Sequence, residues 1–115
     1  MLIVAAVLFA VAALGGLTMA YIYFKKHRNP PIVLATLHGA VAATALLVLL
    51  RVVMQTGRGG LPAWALGLFV VAALGGFFLF SYHVRGRRLP SPVVVIHATV
   101  AIVAFVLLLA GIAAA

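Results

Sequence analysis

Two histidines, His38 and His97, stand inside otherwise apolar runs of this chain. An ionisable ring is costly to hold in hydrocarbon, and one found there marks a candidate ligand or relay site. The two occur at the same point of two similar stretches. With a shift of 59 residues, Pro31, His38, Val41, Ala42, Ala45, Leu49 and Leu50 fall on Pro90, His97, Val100, Ala101, Ala104, Leu108 and Leu109. On a heptad seam His38 is followed by Ala42 and Ala45, and His97 by Ala101 and Ala104. Each imidazole thus shares its face with small side chains, which leaves a slot for something flat. Two imidazoles across such a slot suit a b-type haem, whose iron takes one ligand on each face of the ring. The two propionates would then call for cations. Lys25, Arg28, Arg85 and Arg88 are the expected partners, with Lys26 and Arg87 beside them. Quinone or bound lipid could occupy the same slot. A bare metal suits it less, because two imidazoles fall short of the four ligands zinc normally takes. With no cofactor, the histidines would hydrogen-bond across the bundle or to a backbone carbonyl.

The rest of the composition narrows the chemistry further. Asp and Glu are absent, which removes carboxylate dyads, carboxylate metal sites and buried acids for proton coupling. Cysteine is absent too, which removes disulfides, thiolate metal sites, iron–sulfur ligation and covalent haem attachment. The formal charge of +8 therefore has no internal counter-charge, and anionic lipid headgroups are its expected compensation. The basic residues lie in loops between apolar runs, so nucleic acid is not an expected partner.

The elements that must position the histidines are membrane helices. Of 115 residues, 68% are hydrophobic and only 7% charged, far from the balance a soluble domain of this size needs. Four apolar stretches of bilayer-spanning length are expected: Leu2 to about Phe24, Pro31 to Val53, Pro62 to Val84, and Pro92 to about Ala113. The first lacks the basic start of a cleavable signal peptide and reads as retained. Asn29-Pro30-Pro31 breaks the chain and restarts a helix, as proline suits a first turn. Tyr21, Tyr23 and Trp64 fit interfacial positions. VAALGG at residues 11–16 returns at 71–76 and reads as a helix-packing surface. Thr36, Thr44 and Thr99 are expected to bond to their own helices. Phe77, Phe78 and Phe80 are expected to face lipid or a subunit, and His27 and His83 to be solvated at the basic boundary.

These signals imply an all-α membrane protein, a single transmembrane domain over 1–115. Its four transmembrane helices would form an up-down bundle built from two tandem helical hairpins, a parallel internal repeat with copies at 2–54 and 62–114. Short loops make consecutive helices neighbours, so the second and fourth spans fall diagonally and can face each other. Counted from Pro31 and Pro90 at 1.5 Å rise, each histidine lies roughly 10 Å in, at one depth. Lys25, Lys26, Arg28, Arg85, Arg87 and Arg88 cluster in the first and third loops, against Arg51 and Arg58 at the middle one. That asymmetry places the six in the cytoplasm and both termini on the other side, in what is expected to be a bacterial inner membrane.

Three functions are compatible with this outline. The first is a small b-type cytochrome-like subunit holding one haem between spans two and four for electron transfer, within a larger membrane complex. The second is a cofactor-free structural accessory subunit of a respiratory or photosynthetic assembly. Neither is a stand-alone enzyme. The third is a transporter: in size and span count the chain is similar to the small multidrug resistance transporters. That family relies on a membrane-embedded glutamate in its first helix, and this chain has no glutamate.

Overall fold

A computed structural model describes residues 1–56 and 59–115. Gly57 and Arg58, the latter one of the two cations expected at the middle loop, lie outside the described residues. Four helices account for nearly all of the rest: α1 (Leu2–Lys26), α2 (Ile32–Thr56), α3 (Leu61–Val84) and α4 (Ser91–Ala113). No strand occurs among the described residues. Each helix is long and apolar enough to cross a membrane. Helix is the form such segments take, because hydrocarbon offers nothing to solvate an unpaired backbone group.

The boundaries follow local chemistry. α3 and α4 carry proline in their first turn, Pro62 and Pro92, where no amide partner is needed. α1 runs on through Lys25 and Lys26 and ends at His27, whose backbone is left-handed with φ 52°. A histidine tolerates that conformation better than a branched residue would. Thr36, Thr44 and Thr99 each donate their hydroxyl to the carbonyl four residues back, as expected.

α2 packs against α1 and α3, and α4 packs against α3 and α1. Among the described residues, no close backbone approach joins α2 to α4 or α1 to α3. α2 and α4 therefore stand across from one another, as do α1 and α3. The long axis of the molecule extends 42 Å, enough to pass a hydrocarbon layer of about 30 Å with turns to spare.

Burial runs opposite to that of a soluble bundle. Leu14, Leu37, Leu47 and Phe77 are exposed, the last at 72%, whereas the interior is made of small residues and a few large ones. Ala5, Ala45, Leu49, Ala65, Ala104 and Leu108 are wholly buried in one cluster. At its centre Phe9 of α1 and Phe69 of α3 lie face to face across the diagonal, with ring centres 3.7 Å apart and planes 3° from parallel. Alanines line this interior because two phenyl rings already fill it.

Candidate functional site

The histidines sit beyond this core, toward the basic end. His38 is half-buried on α2, and its Nδ1 lies 2.7 Å from the Ala12 carbonyl oxygen of α1. His97 repeats the arrangement on α4, with Nδ1 2.8 Å from the Ala72 carbonyl oxygen of α3. A carbonyl can only accept, so Nδ1–H donates in both rings, and in the neutral ring the lone pair resides on Nε2. That is the tautomer an Nε2 metal ligand needs, with the other nitrogen oriented by a backbone acceptor.

The second half of the VAALGG stretch supplies the seat for each ring. A Cβ on Gly16 would meet His38 Cε1 at 3.1 Å, and a Cβ on Gly76 would meet His97 Cε1 at 3.2 Å. At Gly15 and Gly75 the nearest histidine atoms would be at 3.7 and 3.6 Å, ordinary contact distances. The expectation of a packing surface holds, with an added detail: what packs on it is the imidazole itself. A sharp difference between adjacent substitutions follows. Gly15→Ala should be neutral or slightly stabilising, since alanine is favoured over glycine in a helix by about 1 kcal/mol. Gly16→Ala must push an imidazole that is tethered at Nδ1. Its expected result is a lower thermal midpoint than Gly15→Ala and a displaced His38 ring resonance in the NMR spectrum.

The two rings also meet one another. Their centres are 6.4 Å apart and their planes 81° from parallel, although α2 and α4 do not touch through their backbones. The alanines expected beside them divide into two groups. Ala42 and Ala101 are half-buried, one turn along from the histidines. Ala45 and Ala104 are fully buried in the cluster that contains the Phe9–Phe69 stack. The inner part of the expected slot is thus packed by the protein's own aromatic rings.

Lys25, Arg28, Arg85 and Arg88 are all exposed at the basic end. Arg85 lies over the Tyr82 ring at 4.7 Å and donates to the Ser81 carbonyl and hydroxyl. Arg88 lies over the Tyr23 ring at 4.5 Å. The two loops at this end are tied together by three side chains. Asn29 Nδ2 donates to the Arg87 carbonyl at 2.7 Å, and Asn29 Oδ1 accepts from the Leu89 amide at 3.1 Å. The Tyr23 hydroxyl donates to the Leu89 carbonyl. His83 Nε2 donates to the Pro30 carbonyl at 3.2 Å, while its Nδ1 is buried without a partner among the described residues. His83 is therefore an element of this closure and not the solvated boundary residue expected; His27 is exposed.

Asn29 presents one donor and one acceptor to a neighbouring backbone, as a strand would. The asparagine before Pro30-Pro31 could be read as a break signal, but nothing in the sequence indicated what it would bond to. Asn29→Ala removes both bonds, one exposed and one half-buried, and should destabilise the chain by about 1 kcal/mol. A titration with denaturing detergent checks this, and an unchanged midpoint would show that water replaces the side chain.

Among the described residues no group of three or more His, Cys, Asp or Glu side chains comes together. Comparison with protein-family models, curated proteins and solved structures finds no match.

Proposed function

We propose that this chain is a b-type cytochrome-like subunit of a membrane redox complex, in which His38 of α2 and His97 of α4 would hold one haem between them. The fold in this reading is an up-down bundle of two tandem hairpins. The observation that carries it is the ring spacing. The His38 and His97 ring centres are 6.4 Å apart. Anchoring of both Nδ1 atoms, which leaves Nε2 as the lone-pair nitrogen, supports the same reading.

The residues fit the group as a ligand pair. When bound, haem supplies one-electron chemistry. The chain's own part is to orient two imidazoles through Ala12 and Ala72, seat them on glycine, and keep water from the ring with apolar helices. Ala42 and Ala101 are the small residues left to flank the ring, since Ala45 and Ala104 already pack the core. Lys25, Arg28 and Arg85 are the cations available to propionates at the basic end, in the orientation that puts both termini outside a bacterial inner membrane. Anionic lipids and further membrane subunits are the partners. The chain has no catalytic residues of its own in this scheme.

A reduced-minus-oxidised difference spectrum of the purified protein, or of the complex containing it, tests the reading. A sharp α band of b-type haem with one haem per chain is the expected result. Absence of the band after expression with ample haem overturns it.

A second reading has an observation of its own. Each imidazole already has a carbonyl partner and a glycine seat within its own pair of helices, and the interior beyond is filled by Phe9 and Phe69. A cofactor-free accessory subunit needs nothing more than this. It predicts a featureless visible spectrum and full stability when either histidine is replaced by another carbonyl-bonding side chain.

A further inference from the structure

The basic end contains a groove of about 460 Å³ lined by Tyr23, Phe24, His27, Arg88, Leu89 and Ser91. It lies where the last turn of α1 meets the first turn of α4. We propose that this groove binds the phosphate of one anionic membrane lipid, with the Arg88 guanidinium and the Ser91 end of α4 as its two holding groups. This inference is independent of whether haem binds.

Arg88 is held in place for such a role. Its guanidinium lies 4.5 Å above the Tyr23 ring, and Tyr23 is itself 3% exposed and fastened through its hydroxyl to the Leu89 carbonyl. A stacked guanidinium keeps its planar set of N–H donors free at the edge, the geometry that suits phosphate. Among the described residues no hydrogen bond engages those donors, in contrast to Arg85, which is bonded to Ser81. The chain has no Asp or Glu to neutralise Arg88 from within.

The second holding group is the start of α4. Pro90 occupies its N-cap position and provides no side-chain cap. Pro92 has no amide hydrogen, and the Val93 and Val94 amides already donate to the Pro90 carbonyl. The Ser91 amide and hydroxyl are left as donors at the positive end of the helix dipole, on the same groove as Arg88. Aromatic and apolar walls complete it: Phe24 and Leu89 line the groove, and Phe24 is 46% exposed. A headgroup that carries acyl chains matches both surfaces, whereas free phosphate matches only one.

The test is native mass spectrometry of the full chain in detergent, titrated with phosphatidylglycerol, with phosphatidylcholine and, separately, with inorganic phosphate. One phosphatidylglycerol per chain is expected to persist where phosphatidylcholine is lost. Arg88→Gln should weaken its retention about tenfold or more, as loss of a charge-assisted contact implies. Ser91→Ala should weaken it by a smaller factor. Arg51→Gln, which removes one charge from α2 far along the chain from the groove, should leave retention unchanged. Equal binding by Arg88→Gln and the parent, equal binding of the two lipids, or occupancy by inorganic phosphate without preference for lipid would each overturn the assignment. Should Arg88→Gln fail to fold, Arg88→Lys decides: it keeps the charge but not the planar fork, and unaltered retention there counts against a stacked guanidinium as the holding group.

Discussion

If His38 and His97 hold haem as proposed, replacing either with glutamine is expected to abolish the haem absorbance while the helices remain folded. Glutamine can still donate an N–H to the Ala12 or Ala72 carbonyl, so the helix-to-helix bond has a substitute. It has no nitrogen lone pair to offer iron. The loss should therefore exceed the about 10–100-fold that disturbing a ligand's supporting hydrogen bond costs. The readouts are separate: the pyridine haemochrome reports occupancy, and far-ultraviolet circular dichroism with a thermal midpoint reports the fold. Absorbance that survives in both single variants would rule out this ligand pair even if the protein proved to hold haem elsewhere. A fold unchanged in both, with no absorbance in the parent, would favour the purely structural role. Leucine is a useful third substitution, because it can neither ligate nor donate. Its cost over glutamine isolates the bond to the carbonyl, about 1 kcal/mol for a typical net contribution.

Truncation of the aromatic stack should have the largest effect on stability. In a water-soluble core Phe→Ala costs about 3–5 kcal/mol, the sum of a transfer term and a cavity term. Within lipid the transfer term shrinks, since the unfolded helices also sit in hydrocarbon and packing carries the association. Phe9→Ala or Phe69→Ala should accordingly cost about 2–3 kcal/mol, nearly all of it from the cavity left between Ala45 and Ala104 and their neighbours. Because the rings are stacked at 3.7 Å, the double variant should cost less than the two singles added, by about 0.5–1.5 kcal/mol. Unfolding in mixed micelles measures all three variants. Strict additivity would mean that the rings do not lie against each other in the bilayer. The stack also bears on the histidines: Phe9 and Phe69 lie one turn before Ala12 and Ala72, whose carbonyls hold the imidazoles, so its loss should loosen both rings.

What the sequence determined by itself was the set of membrane-crossing helices and the restricted chemistry available to them. Long apolar runs without acids leave the backbone only one way to satisfy itself in lipid, so α1 to α4 could be located to within a turn. The shared depth of His38 and His97 was legible too, since rise per residue is nearly constant along a helix. The tertiary structure alone decided what those side chains meet. These helices are apolar on almost every face, with leucines and phenylalanines exposed all round, so no hydrophobic stripe reported which face turns inward. Hence the expected alanine slot proved half filled by Phe9 and Phe69, residues whose types suggested nothing beyond packing. The bonds of His38 to Ala12 and His97 to Ala72 depend on the rotation of one helix against its neighbour. The closure of the basic end by Tyr23, Asn29 and His83 depends on the register of two loops more than fifty residues apart in the chain. Local sequence specifies neither, because each is settled by close packing between helices and not by any preference of the residues for a conformation of their own.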